Sequence, residues 1–341
     1  MKFNHNDITI TPILESLQLL DISDEEYFGE KYRGYISNSR LKLIDPTEGG
    51  SPELFEEGLK FSVSDSFYFG SAIHELVLQP EEFVLVDSVN RPTAKAGFMA
   101  DELFPTYWVG HYVTDADVIK ASNKIEYYKG KMNDQKIRTL TEKCRDYWES
   151  RLEYENSRTD TKTPIYLDPN GREKAKSCLR NLRNHKEIQE LLHPKGFETK
   201  PLIKNEATIL LDVLCVTPSK DEIVLQLKGK LDNFTIDFES QTITLNDLKT
   251  TGHLVEDFGK ESFYKYHYYR QMGMYGWMLN LANSAIYKLD APTFLCNMLL
   301  VSSIPPCYCG VYKVSNSQVQ KGVKEFADLL KRVAYFRLYG N

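Results

Sequence analysis

Residues 222–232 (EIVLQLKGKLD) and residues 241–249 (QTITLNDLK) decide the fold of this chain. In both runs apolar and polar residues alternate, which is the pattern of half-buried strands. Residues 239–241 (ESQ) form a turn between them, so the two strands are predicted to fold back as a hairpin. The hairpin would bring Asp232, which ends the first run, close to Asp247 in the second.

The triplet Asp247-Leu248-Lys249 carries the chemistry of this hairpin. Alternate side chains of a strand share a face, so Asp247 and Lys249 point the same way while Leu248 points into the core. Carboxylate oxygens suit Mg²⁺ or Mn²⁺, and such an ion activates a water molecule and holds a phosphodiester. A lysine beside the ion can orient that water or stabilise developing negative charge. A hairpin with ordinary surface Asp and Lys is the alternative, because a DxK triplet is common.

The rest of the chain predicts an α/β fold in which a central mixed β-sheet is flanked by helices. Strands are expected at residues 207–216, 222–232 and 242–249, and a further strand pair at 294–302 and 309–314. The predicted helices cover residues 37–43, 64–79, 258–281 and 317–338. Residues 82–200 are expected to form a mainly helical insertion, with a surface loop at 154–170.

Composition and charge limit the classes of function. The chain has 341 residues, 42 Lys and Arg, 48 Asp and Glu and a net charge of −6, which argues mildly against a protein coated in nucleic acid but not against a local basic channel. No apolar run is long enough to span a bilayer, and residues 1–12 lack the pattern of a signal peptide. We therefore expect a cytoplasmic protein with no membrane partner.

Two further features lie on predicted helices. His74 sits among apolar neighbours, where a lone histidine is more often a core residue than a metal ligand. Gln271 and Tyr275 are four residues apart and share a helix face, where an amide and a phenol could bind phosphate or order a lysine. The alternative is that this helix only packs its aromatic side chains into the core.

Taken in order, these pieces resemble the PD-(D/E)XK nuclease superfamily, in its RecB-like and lambda-exonuclease-like branch. The order is His74 on a helix, the GKLD strand of residues 229–232, the DLK strand of residues 247–249 and the QxxxY helix of residues 271–275. Residues 37–43 (SNSRLKL) and 69–78 (FGSAIHELVL) resemble the RecE-type exonucleases, such as exodeoxyribonuclease VIII and its phage relatives.

The resemblance covers residues 37–80 and 206–280. It implies a single domain over residues 1–341 with a restriction-endonuclease-like core. Within that domain, residues 37–80 form the N-terminal helical part with the His74 helix, and residues 82–200 form the insertion. Residues 206–315 hold the catalytic sheet and the QxxxY helix, and residues 316–341 form the C-terminal helix.

By the same resemblance, Asp232, Asp247 and the backbone carbonyl of Leu248 hold the catalytic metal. Lys249 is the catalytic lysine that positions the attacking water, and His74 approaches the metal from its helix. Gln271 and Tyr275, from the family motif, are expected to bind DNA phosphate or to brace Lys249. Glu206 resembles an acid often found at the head of the first strand in this family. Lys228, Lys230 and Arg270 are predicted phosphate contacts from their positions alone.

The implied activity is that of a Mg²⁺-dependent deoxyribonuclease, with Mn²⁺ as a substitute ion. It would hydrolyse linear double-stranded DNA from its ends, in phage-type recombination or DNA processing within a bacterial or phage-infected cell. A single-strand annealing recombinase is the expected partner, and a ring-shaped homo-oligomer is the expected assembly. The alternatives are an endonuclease, a nuclease acting on single strands or RNA, and a catalytically idle DNA-binding protein of the same fold.

Two cofactors are not expected. The iron–sulfur members of this branch place one cysteine before the nuclease core, whereas no cysteine precedes Cys144 here and the later ones lack the spacing. A GxxxxGK[ST] loop is missing from the sequence, so no ATP-driven motor is expected in this chain.

Overall fold

The computed structural model describes residues 4–58, 64–128, 132–195 and 199–340. The chain forms two compact units, of which the first comprises the described parts of 1–60, 183–302 and 309–341 and the second those of 61–182 and 303–308. The strands are β1 (Thr9–Leu20), β2 (Phe83–Leu85), β3 (Thr163–Ile165), β4 (Leu202–Val216), β5 (Glu222–Asp237), β6 (Thr242–Thr251), β7 (Thr293–Ser302) and β8 (Cys309–Val314). The α-helices are α1 (Asp24–Phe28), α2 (Asn38–Leu41), α3 (Pro52–Glu57), α4 (Asp65–Leu78), α5 (Ala94–Trp108), α6 (Asp115–Ile125), α7 (Asp134–Ser157), α8 (Pro169–Asn184), α9 (Lys186–Leu192), α10 (Tyr268–Ala282) and α11 (Asn316–Tyr339).

A six-stranded sheet organises the first unit, in the order β1-β4-β5-β6-β7-β8. β6 and β7 are parallel, whereas the other neighbouring strands are antiparallel, so the sheet is mixed. Helices α10 and α11 contact β1, β4 or β5, and α9 contacts β6 and β8. This mixed sheet with flanking helices confirms the predicted α/β fold class.

Helices α10 and α11 pack backbone against backbone at Gly273 and Gly322. A Cβ atom on Gly273 would collide with the backbone of Gly322 and Val323, and one on Gly322 would collide with the carbonyl oxygen of Tyr269. Only glycine permits so close an approach. The contact fixes the position of α10, which carries Gln271 and Tyr275.

The alternation of core-facing and outward-facing side chains along β5 shifts by one residue at Asp232. The side chains of β5 that join the main core are odd-numbered as far as Leu231 and even-numbered from Phe234 onward. The pairing between β4 and β5 omits Asp232 and the residue facing it, Glu206, which has a φ of +51°. Such irregularities re-aim side chains and are common beside functional sites.

Several strand boundaries differ from those predicted. β5 continues to Asp237, so Asp232 lies within the strand rather than at its end, and β4 begins at Leu202, so Glu206 is not at its head. β1 was not predicted at all. It contains Pro12 and a shift of register between Ile13 and Gln18, both of which weaken the strand signal of an edge strand.

The long aromatic helix predicted for residues 258–281 is interrupted. A π-helical turn spans Gly259–Phe263, and α10 begins only at Tyr268. Between them His267 adopts a φ of +53°, a left-handed conformation that ends the first turn. The loop predicted for residues 154–170 is also wrong in part, because α7 runs to Ser157 and β3 lies within it.

The second unit is mainly helical, as the sequence predicts for most of this region. Its helices α5, α6 and α7 enclose a core of their own, where the Trp148 Nε1–H donates to the Ala100 carbonyl at 2.8 Å. β2 and β3 form a short parallel pair. The helix that carries His74 is α4, and the Ser64 hydroxyl caps it by accepting from the Phe67 N–H. Residues 37–80, expected as one block, are thus divided between the two units.

Among the described residues, no helix combines the length and the apolar character that crossing a membrane requires.

Candidate active site

The site lies where β5 and β6 separate. Backbone pairing between these strands reaches Asn233 and Asn246, while β6 stays paired with β7 along its whole length. Just beyond the last pair, the Leu248 N–H donates to Asp232 Oδ2 at 2.7 Å. The Asp232 carboxylate therefore takes the place of a backbone acceptor and is held beside Asp247, as the hairpin predicted.

The Lys249 ammonium lies among the oxygens of this opening. Its Nζ is 2.6 Å from Asp247 Oδ2, 4.0 Å from Asp232 Oδ2 and 3.4 Å from the carbonyl oxygen of Leu248. The side chains of Asp247, Asp232 and Lys249 are 1%, 12% and 18% exposed. The structure thus brings together the three charged residues of the predicted centre and the Leu248 carbonyl.

The electrostatics of these groups follow from burial and from each other. Burial disfavours the charge of Lys249, but the carboxylates of Asp247 and Asp232 outweigh it, so the pKa of Lys249 is raised. Burial raises the pKa of Asp232, although the Lys249 ammonium and the Leu248 N–H both act to lower it. Lys249 is therefore a cation at neutral pH, and any further positive charge beside Asp232 would favour the ionised form of its carboxyl group.

Helix α10 supplies the second side of the site. Gln271 Nε2 donates to Asp247 Oδ1 at 3.0 Å, so the two oxygens of Asp247 are bound by Gln271 and Lys249 respectively. One turn later Tyr275 packs over Gly229 of β5, where a Cβ would lie 3.1 Å from its ring. Burial, followed by Tyr27 and the two site carboxylates, raises the pKa of Tyr275 well above its usual value. Gln271 and Tyr275 do share the face that packs on the sheet.

Glu206 adds a third carboxylate. One of its oxygens lies within 4.8 Å of an oxygen of Asp232, and its Oε2 is 3.0 Å from Lys230 Nζ. Burial and then the Asp232 carboxylate raise the pKa of Glu206 to about 7, against the opposing effect of Lys230. Lys230 is also paired with Asp24, so this predicted phosphate contact is already held by two carboxylates.

Lys228, predicted as a phosphate contact, is bound within the protein. The Lys228 side chain is buried, and its Nζ donates to the backbone carbonyl of Tyr27 at 2.7 Å. Burial lowers the pKa of Lys228 to about 8. Because its ammonium faces the protein interior, Lys228 anchors the segment that contains Tyr27 to the sheet.

Arg270, also predicted as a phosphate contact, is likewise bound within the protein. Its side chain is 2% exposed and is enclosed by carboxylates, with Nη1 2.6 Å from Asp45 Oδ2 and 3.2 Å from Glu325 Oε1. Nη2 donates to Glu48 Oε2 at 2.8 Å. Arg270 therefore joins the segment between α2 and α3, and the helix α11, to α10.

His74 and Tyr268 remain to be described. His74 belongs to the second unit, where its side chain is partly buried on α4, and its role as a metal ligand stays a prediction. Tyr268 was predicted only as a core aromatic, yet Lys249 Nζ lies 5.7 Å from the centre of its ring. Its position three residues before Gln271, on the same helix face, is the signal that could have identified it.

Comparisons with known proteins add little. No family profile matches the sequence, and no curated protein matches it. A crystal structure of a "putative exonuclease" from Eubacterium rectale resembles this chain with a TM-score of 0.45 and 10% sequence identity, over 93% of this chain and 86% of that one. At this TM-score the likeness carries no argument about chemistry, so function rests on the site itself.

Proposed function

We propose that this protein is a metal-dependent deoxyribonuclease that hydrolyses linear double-stranded DNA from its ends. The observation that carries the proposal is the Lys249 ammonium held 2.6 Å from Asp247 and 4.0 Å from Asp232 where β5 and β6 separate. An acid pair with a charged lysine on a rigid sheet is suited to phosphodiester hydrolysis.

The donor set fits a divalent cation that prefers oxygen ligands. The carboxylate oxygens of Glu206 and Asp232 lie within 4.8 Å of each other, and the pKa values of both groups are raised, so added positive charge would relieve their repulsion. Asp232, Asp247 and the carbonyl of Leu248 would hold Mg²⁺ or Mn²⁺, with His74 as a further predicted ligand. When bound, the ion would supply an activated water and neutralise charge on the phosphate.

The protein residues have separate roles in this proposal. Lys249 keeps its proton, orients the attacking water and offsets negative charge as it develops on the phosphoryl oxygens. Gln271 fixes the orientation of Asp247 through the hydrogen bond to Oδ1. Tyr275, whose pKa is raised, stays a neutral donor beside the site.

The test is digestion of linear duplex DNA in Mg²⁺ and in EDTA by the wild type and by Lys249→Ala. We expect the wild type to digest linear duplex only with the metal, and Lys249→Ala to lose at least about a hundredfold in rate, the usual effect of removing one charge-stabilising group. Lys313→Ala is the matched control, because Lys313 is a lysine of the same sheet with a side chain 75% exposed. Circular dichroism establishes that each variant is folded.

Wild-type activity in Lys249→Ala would show that the site is wrongly assigned. Digestion of closed circular duplex would favour an endonuclease, and activity confined to single-stranded DNA or to RNA would favour the other nucleases. Tight DNA binding without turnover in any divalent metal would favour an idle binding protein.

The finer features of the proposal come from the sequence resemblance alone. They are the RecE-type branch, a role in phage recombination, an annealing recombinase as partner and a ring-shaped homo-oligomer. A time course on duplex labelled at the 5′ or the 3′ end would test attack from ends. Light scattering would test the ring, which a monomer at micromolar concentration contradicts.

A further inference from the structure

Four asparagines form a continuous chain of side-chain hydrogen bonds across four neighbouring strands. The Asn297 amide donates to Asn246 Oδ1 at 3.0 Å, the Asn246 amide to Asn233 Oδ1 at 2.7 Å, and the Asn233 amide to Asn205 Oδ1 at 2.7 Å. These four residues are register partners, so they occupy one level of β7, β6, β5 and β4. We call this set the asparagine chain.

Buried asparagines like those of the asparagine chain are unusual inside a sheet, where most side chains are apolar. Asn233 and Asn246 are fully buried and Asn297 is 5% exposed. Amides in such a place are unfavourable unless each finds a partner, and apolar side chains would fill the space without that requirement. Asn246 is also within 3.4 Å of the Leu191 carbonyl of α9, so its amide is bound from a second element.

The register of the sheet is what satisfies these amides. If one strand slipped by a residue, its asparagine would turn to the opposite face and leave buried amides without partners. A buried polar group of this kind selects one arrangement of the chain over its competitors at some expense in stability.

The level that the asparagine chain fixes is the one directly before the candidate active site. Asn205 precedes Glu206 with its left-handed backbone, Asn233 follows Asp232 with its irregular pairing, and Asn246 precedes Asp247. Asn233 and Asn246 are also the last pair of β5 and β6 before the strands separate. The asparagine chain therefore fixes the register of the sheet at the level where the strand pairing becomes irregular.

We infer that the asparagine chain is a positioning device for the site. It holds β4, β5 and β6 in the single register that places Asp232 within 4.8 Å of Glu206 on one side and 4.0 Å from Lys249, the partner of Asp247, on the other. The inference rests on the proposed function for what those carboxylates bind, but the position of the strands can be measured without it. The Leu248 N–H donates to the Asp232 side chain rather than to a β5 carbonyl. The protection of this amide from hydrogen exchange therefore measures the position of β6 relative to β5.

The decisive variant is Asn246→Leu, which keeps the size of the side chain and removes the central link. Ile243→Ala is the matched control, because Ile243 is fully buried on the same strand and its truncation also destabilises the sheet but leaves the asparagine chain intact. Two quantities are compared well below the melting temperature: hydrogen exchange of the Leu248 amide by NMR, and Mn²⁺ affinity by calorimetry.

We expect Asn246→Leu to increase Leu248 exchange and to weaken Mn²⁺ binding by about tenfold each, the effect of losing one buried hydrogen bond to the site. Ile243→Ala should lower the melting temperature without either change. If folded Asn246→Leu leaves both quantities at their wild-type values, or if the two variants shift them equally, the asparagine chain is only structural.

Further variants keep the test decisive. Should Asn246→Leu not fold, Asn205→Ala removes only the end of the chain and should give smaller shifts in the same directions; no shift would overturn the inference. Replacing all four asparagines by leucine should restore stability while Mn²⁺ affinity stays low, whereas recovery of both would also overturn it. A wild type that binds Mn²⁺ but digests no nucleic acid counts against the proposed function alone. If no Mn²⁺ binds, Leu248 exchange still decides the role of the asparagine chain.

Discussion

The substitution Glu206→Gln removes a carboxylate whose protonation is linked to folding. Burial and then Asp232 raise the pKa of Glu206 from an ordinary 4.5 to about 7 in the folded chain. Between these pH values the folded state keeps a proton that the unfolded chain releases. The contribution of Glu206 to stability is therefore fully present below pH 4.5 and is lost as the pH rises through 7.

The change in stability with pH is limited by the single proton that Glu206 binds. The free energy of unfolding falls by at most about 1.4 kcal/mol per pH unit, or about 3 kcal/mol across the whole window. The Glu206→Gln variant would escape this penalty, and its new amide oxygen could still accept from Lys230, which lies 3.0 Å from Glu206 Oε2 in the wild type. We expect Glu206→Gln to match the wild type near pH 5 and to be more stable by about 1–3 kcal/mol at pH 8 without metal.

Urea denaturation in EDTA at pH 5, 6, 7 and 8 measures the difference between the two proteins. Glu222→Gln is the control, because Glu222 is an exposed acid at the start of β5, and its difference from the wild type should not vary with pH. A flat difference for Glu206→Gln would refute the reasoning. Added Mg²⁺ at pH 8 should reverse the order of stability, because an ion that the acid helps to bind stabilises the wild-type fold more.

Two further substitutions test the contacts around α10. Arg270→Met leaves the carboxylates of Asp45 and Glu325 without their buried cation. Urea denaturation should show that the free energy of unfolding falls by about 3–5 kcal/mol. A fall below about 1 kcal/mol would contradict the importance of this network. Gln271→Leu removes the donor to Asp247 Oδ1. The rate constant kcat on linear duplex DNA should therefore fall by about tenfold or more. A change within about twofold would mean that Asp247 does not need this hydrogen bond.

The sequence predicts the hairpin and its acids well, because their signals are local. Alternating residues identify β5 and β6, and the pairing of the two strands follows from the short turn between them. Asp232, Asp247 and Lys249 then come together by geometry alone. The i, i+4 spacing of Gln271 and Tyr275 places both on the helix face toward the sheet for the same reason.

What the sequence does not reveal depends on contacts between distant segments. Lys228 and Arg270 look like free cations, but Tyr27 and Asp45 bind them from elsewhere in the chain. Asn233 and Asn246 look like ordinary polar residues, since the link between them exists only once the strands adopt their register. The left-handed residue His267 carries no glycine or proline signal, so the break before α10 was not expected.

The order of the strands has a consequence for synthesis of the protein. β1 pairs with β4, but about 180 residues separate Leu20 from Leu202. During synthesis, β1 is therefore made long before the strand with which it pairs. At 5–20 residues per second this delay is roughly 10–40 s. The core of the helical unit is encoded entirely within that interval. We therefore expect the core of the second unit to fold on the ribosome first, while β1, the edge strand of the six-stranded sheet, is still unpaired and open to chaperones.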